Sequence, residues 1–178
     1  MKNIKTIVLG SGCFWCSEAE FKQLRGIVSV LPGYAGGTVE HPSYEQVCTG
    51  ETGHAEVVKV DFDPAQISLE DLLAVFFATH DPTSLNKQGN DAGEQYRSVI
   101  FYTDDAQRHV IENFVENLTE EKLFDKPIVT DIAPLSNFYE AEDYHHDYYV
   151  KNPDKTYCQA IINPKLKKLR EKFANLLK

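Results

Sequence analysis

The apolar residues of this chain fall in short runs whose spacing switches between strand and helix periods, and that order limits the fold more than any other feature. Residues 5–9 alternate weakly and stop at Gly10-Ser11-Gly12, a strand followed by a turn. Residues 13–25 read as a helix closed by Gly26 near its C-terminal cap. Residues 27–34 are β-rich, with Pro32 and Gly33 marking an end or an edge, and residues 55–62 form a strand ending at Asp63-Pro64. Ser68-Leu69-Glu70-Asp71 has the form of a capping box with Asp in place of Glu, and Leu69, Leu72, Leu73 and Phe76 follow at helical spacing. His80-Asp81-Pro82 stops that helix, and residues 98–102 form another short strand.

The order is β-α-β-β-α-β, that of the ferredoxin-like split unit, an α+β two-layer sandwich. Val110, Ile111, Phe114 and Leu118 mark a further helix, followed by a strand at 128–132. Asn163-Pro164 opens a last helix with Leu166, Leu169, Phe173 and Leu176 on one face. Residues 81–97 and 133–163 fall outside this scaffold. They are long, polar and rich in tyrosine (Tyr96, Tyr139, Tyr144, Tyr148, Tyr149 and Tyr157), too aromatic for disorder. The second is expected to be a long irregular C-terminal extension that wraps over the sheet and helps form a site, with small helices around 141–150.

A length of 178 residues suits one domain, 1–178, with its own core. A net charge of −9 argues against non-specific nucleic-acid binding. No apolar run approaches the ~20 residues of a membrane span. The N-terminal apolar run stops at Gly10, too soon for a signal peptide, so the chain is expected to be cytoplasmic and to act as a monomer. Its cysteines are Cys13, Cys16, Cys48 and Cys158. In a reducing compartment a CxxC pair is more often catalytic or metal-binding than structural.

Gly12-Cys13-Phe14-Trp15-Cys16 lies at a strand–turn–helix junction, which puts Cys13 at a helix N-terminus. Free N–H groups and the helix dipole there favour a thiolate, the nucleophilic form. Half of a zinc site is the competing reading, but a second CxxC or a spaced histidine pair is missing, and His145-His146 are adjacent. A zinc site is therefore not expected. Phe14 and Trp15 can form an apolar wall beside the nucleophile or can be core residues; the single tryptophan next to Cys13 favours a pocket. In Gly53-His54-Ala55-Glu56-Val57-Val58, Glu56 shares a strand face with Val58, Val60 and Phe62. Two readings stand there: a carboxyl on an apolar face that keeps its proton and acts as an acid, or a strand-end glutamate reaching solvent. Tyr44 and Tyr96 can donate hydrogen bonds to a polar oxygen, although packing is the commoner role of any single tyrosine.

Taken together, GCFWC at 12–16, GYAGG at 33–37, YEQVCTGETGHAEVV at 44–58, GNDAGEQYRS at 89–98, FYEAEDYHHDYYVKNP at 138–153 and Tyr157-Cys158 resemble the A-type peptide methionine sulfoxide reductases over nearly the whole chain. The resemblance implies reduction of methionine-S-sulfoxide, free or in proteins, in the repair of oxidised proteins, with no metal and no bound organic cofactor. It implies that Cys13 attacks the sulfoxide sulfur and Glu56 protonates its oxygen with help from Tyr44 and Tyr96. Phe14 and Trp15 then receive the methyl group, and Asp91 supports the polar side. Cys13 is left as a sulfenic acid, which a second cysteine converts to a disulfide for thioredoxin to reduce. Many relatives carry glycine at the position of Cys16. The resolving role is assigned to Cys158, which the resemblance places there, with Cys16 as a competent backup. Cys48 is read as a packing bystander.

Overall fold

The computed structural model describes residues 2–178. A six-stranded sheet carries the chain. Its strands are β1 (Lys5–Ser11), β2 (Ile27–Ala35), β3 (Ala55–Phe62), β6 (Ser98–Tyr102), β7 (Asp131–Pro134) and β8 (Phe138–Glu140), in the order β7-β6-β1-β3-β2-β8. A two-residue ribbon, β4 (Lys87–Gln88) and β5 (Asp91–Ala92), lies apart from it. The neighbours β1, β2, β3, β6 and β8 pair antiparallel, and β7 runs parallel to β6. The molecule is therefore an α+β fold.

The helices are α1 (Phe14–Phe21), α2 (Tyr44–Cys48), α3 (Leu69–Thr79), α4 (Asp105–Glu120), α5 (Tyr148–Lys151) and α6 (Asn163–Lys172). Local chemistry sets several starts. Ser68 and Asp71 form a full capping box on α3, as the sequence predicts. Ser43 and Gln46 form a second on α2, a one-turn helix that periodicity cannot show because it is too short. Asp104 caps α4 by accepting from the Gln107 N–H.

Ile7, Val8 and Leu9 are all fully buried although they alternate faces, so β1 is covered on both sides. Ile7 and Leu9 join the larger core with Phe21, Val58, Val60, Phe62, Leu72, Phe76 and Leu166. Val8 joins a smaller one with Ala35, Val57, Val99 and Phe101 on the opposite face. Each large side chain so enclosed contributes ~1.5–3 kcal/mol relative to exposure.

Three boundaries differ from the sequence reading. The first helix ends at Phe21 rather than 25, and turns carry the chain to Gly26 at φ 82°. The strand expected at 128–132 forms at Asp131–Pro134, where it pairs with β6. Leu176, expected on the last helix, lies beyond its end at Lys172, in a 3₁₀ turn at Ala174–Leu176. The C-terminal extension is more ordered than expected: β8, a 3₁₀ turn at Asp143–His145, α5 and a π-helical turn at Cys158–Ile162 occupy it. Its polar groups find fixed partners, which an irregular segment could not offer. Glu142 accepts from Tyr34 Oη at 3.0 Å and from the Tyr44 N–H at 3.1 Å.

Candidate active site

The turn between β1 and α1 presents Cys13. Gly12 adopts φ 102°, and a Cβ there would lie 2.7 Å from Gln88 Cγ, so this turn requires glycine. Cys13 is the N-cap residue of α1, with extended backbone and only 8% exposure. It opens with Cys16 into a cavity of about 240 Å³ lined also by Gln88, Asp91, Tyr157 and Lys165. Larger clefts of about 450 and 400 Å³ lie around Phe124 and around His80, and neither is lined by a cysteine.

Glu56 points into the larger core's face of β3 and is 1% exposed, which removes the reading of a solvent-reaching carboxylate. Its Oε1 accepts from the Phe14 N–H at 3.2 Å, and its Oε2 has no partner among the described residues. Burial, above the opposing hydrogen bond, pushes Glu56 up to about 8. At neutral pH it therefore holds a proton, aimed beside the helix that Cys13 opens.

The cysteine pair behaves differently from the sequence expectation. Burial pushes the Cys13 thiol well above its ordinary value, and its hydrogen bond with Cys16 and the charge of Glu56 add to this. The position at a helix N-terminus does not offset that loss of solvent. Cys16 is instead lowered to about 7, chiefly by the hydrogen bond from Cys13. One proton thus leaves the pair near neutrality, and the charge rests first on Cys16.

Aromatic rings close the site. Phe14 is enclosed in the core, 4.9 Å from the His145 ring, 5.7 Å from Tyr34 and 6.5 Å from Tyr44 between centroids. Trp15 is partly exposed. Tyr148 stacks on it at 3.7 Å and 5°, Tyr157 meets it edge-on at 5.7 Å, and its Nε1–H donates to His145 Nδ1 at 2.9 Å. Tyr157 Oη donates to Asp91 Oδ2 at 2.8 Å and lies 3.7 Å from Cys16 Sγ. Tyr44 and Tyr96 are both held protonated, by burial first and by the charge of Glu56 second.

The charge of Glu56 acts on Cys13, Tyr44 and Tyr96, and that of Asp91 acts on Glu56, so these side chains gather around one carboxyl; of them, Cys13 and Asp91 line the cavity. Cys158 stands apart: it is 0% exposed, in the π-helical turn, and belongs to the main core rather than to the cavity lining. Cys48, read from the sequence as a packing residue, is instead exposed at the end of α2. Sequence reasoning counted Tyr148 among the tyrosines of a segment expected to help form a site, but gave no particular role to it, to His145 or to Lys165. The first two lie in the tyrosine-rich stretch at 138–153, whose composition hinted at a site but did not single them out. Among the described residues, no group of three or more His, Cys, Asp or Glu side chains is placed to hold a metal ion.

A buried carboxyl beside two neighbouring cysteines, enclosed by aromatic rings, is an arrangement that suits a thiol-dependent reductase. The family model described as peptide methionine sulfoxide reductase matches residues 5–177, and the chain belongs to that family. It is 54% identical over 171 residues to "Peptide methionine sulfoxide reductase MsrA" of Acinetobacter baumannii (strain AYE), covering 96% of this chain and 97% of that one. Its fold matches the reduced form of Mxr1 from Saccharomyces cerevisiae with a TM-score of 0.80 and 37% identity, over 87% of this chain and 89% of that one. Mxr1 in complex with Trx2 matches with a TM-score of 0.56 and 27% identity, over 82% and 84% of the two chains.

Proposed function

We propose that the chain reduces methionine sulfoxide, free or in proteins, at Cys13, and that it thereby repairs oxidised proteins. The observation that carries this reading is the buried Glu56, which keeps its proton at neutral pH and is hydrogen-bonded to the residue after Cys13. A sulfoxide oxygen leaves sulfur only once protonated, so a thiolate and an acid must meet the same sulfur. Cys16, the more acidic of the two, carries the charge at rest and takes the Cys13 proton only as Cys13 attacks, so that the bond forming at Cys13 drives a transfer that is uphill on its own. Cys13 attacks the sulfur, Glu56 protonates the oxygen, and Tyr44 and Tyr96 donate to that oxygen. The oxygen passes to Cys13 as a sulfenic acid and methionine leaves. Phe14 and Trp15 hold the methyl group, and Asp91 fixes the polar rim through Tyr157.

These constraints fix three sides of the sulfur and accept the S epimer over the R. The Cys16 thiol, hydrogen-bonded to Cys13, is the first to condense with the sulfenic acid, and the fully buried Cys158 follows only after the π-helical turn opens. This reverses the order expected from the sequence, because Cys158 is packed where that reading needed a mobile segment. Thioredoxin then reduces the disulfide, a reading supported by the Mxr1–Trx2 complex. The chain works as one domain over 1–178, and as a monomer in the cytoplasm; among the described residues no helix is long and apolar enough to cross a membrane. The strands β6-β1-β3-β2, all antiparallel, support a ferredoxin-like centre to which β7 and β8 add edges. The test is incubation with dabsyl-methionine-S-sulfoxide or its R epimer and dithiothreitol. Reduced methionine should form from the S epimer; equal turnover of both epimers would contradict the three-sided geometry.

A further inference from the structure

Glu20 is a buried ionisable group that the mechanism above leaves unused. It lies on α1, one turn after Cys16, so its Cβ stands ~5–6 Å from that of Cys16 on the same helix face. It is 1% exposed, and its Oε1 has no hydrogen-bond partner among the described residues. The groups around it come from three helices: Cys16 from α1, Thr79 from α3, and Lys165 and Lys168 from α6. His80, just beyond α3, also feels Lys165 and is kept neutral, lowered to about 4 by burial. Lys165 in turn lines the cavity into which Cys13 and Cys16 open. Burial pushes Glu20 up to about 8; Lys165 opposes this and Cys16 adds to it.

An apolar side chain would suit this core position, and a carboxyl with an unpartnered oxygen destabilises it. Its surroundings give the carboxyl a use. We propose that Glu20 is a positioning residue for disulfide formation: it shares one negative charge with Cys16, keeping its proton while Cys16 is a thiolate and releasing it once Cys16 enters the disulfide. The proposal rests on the reading that Cys16 resolves the sulfenic acid. In that step Cys16 gives the proton it took from Cys13 to the Glu56 carboxylate, the resulting thiolate attacks the Cys13 sulfur, the S–S bond forms and the S–O bond breaks. The oxygen leaves with the electron pair, takes the proton that Cys16 has handed to Glu56 and departs as water, and Glu56 regains a proton from solvent; Cys16 is oxidised and Cys13 is reduced from the sulfenic level. The charge beside Glu20 is gone, and its carboxyl ionises, passing a proton to solvent. A thioredoxin dithiol then supplies two electrons, the S–S bond breaks, the charge returns to Cys16, and Glu20 takes a proton back.

The test follows the Glu20 carboxyl by ¹³C NMR against pH in the reduced protein, in the disulfide form and in Cys16→Ser. The midpoint should fall by about one unit or more in both of the latter. The equilibrium of the disulfide with thioredoxin should carry an extra proton between the two midpoints, and Glu20→Gln should lose it. A midpoint equal in all three forms would overturn the proposal and leave Glu20 a protonated core residue. Peptide mapping of the oxidised form separates the two readings. A Cys13–Cys158 disulfide would sink the role of Cys16, whereas the Cys16→Ser titration decides the coupling to Glu20 regardless.

Discussion

Glu20 and Glu56 share almost every local property. Each is about 1% exposed, each has one oxygen without a partner, and each is pushed up to about 8 by burial. They differ in what surrounds them. Glu56, on β3, takes the Phe14 N–H and sits among Tyr44, Tyr96 and the Cys13 end of α1. Glu20, on the opposite end of α1, meets Thr79 and two lysines of α6. Burial alone makes a carboxyl keep its proton; the neighbours decide whether that proton can reach a substrate.

Several substitutions test that distinction, the largest effect first. Cys13→Ser should abolish methionine formation while the protein stays folded, since neither carboxyl can act without the nucleophile. Glu56→Gln should slow single-turnover methionine formation by ~10²–10⁴-fold, because glutamine donates a hydrogen bond but cannot transfer a proton. Glu56→Asp should lose less. Glu20→Gln should lose far less than Glu56→Gln in the same assay; equal losses would erase the contrast between the two sites.

Stability offers a second comparison. For both carboxyls the folded value, about 8, lies above the ordinary 4.5 of the unfolded chain. Between those values the unfolded state holds fewer protons. Stability from each group is therefore present in full below about 4.5 and falls as pH rises toward about 8. Glu20→Gln should stabilise the protein on the order of a few kcal/mol at pH 8 and much less at pH 4.5, read from urea unfolding. A gain independent of pH would mean that Glu20 does not ionise in this range. The smallest effect belongs to Cys48→Ser, which should keep most activity because Cys48 is exposed at the end of α2. A folded Cys48→Ser protein without activity would give Cys48 a role in the reaction.

Much of this arrangement was legible in the sequence, for reasons that differ between residues. The face of Glu56 followed from strand alternation with Val58, Val60 and Phe62, and the capping box of Ser68 and Asp71 from residue chemistry alone. Both are local. The protonation of Cys13 was misjudged because a helix N-terminus is visible in sequence, whereas the burial that opposes it arises from segments distant in sequence, which bring Gln88, Asp91, Tyr157 and Ile161 around its cavity. The same holds for Cys158, which joins the main core where its own turn packs against α1 and α6. Glu20 was hidden for the opposite reason. A glutamate in a helix reads as a solvent-facing residue, and only the assembled helices α1, α3 and α6 bury it.

The account rests on Glu56 delivering a proton that it still holds at neutral pH. The most direct test is the pH dependence of single-turnover methionine formation at saturating methionine-S-sulfoxide, in the wild-type protein and in Glu56→Gln. The wild-type rate should decline as pH rises through about 8, where Glu56 loses its proton, and the Gln variant should be slow with no such decline. A wild-type rate that keeps rising well above pH 8, or a Gln variant that matches it, would show that the proton comes from another group.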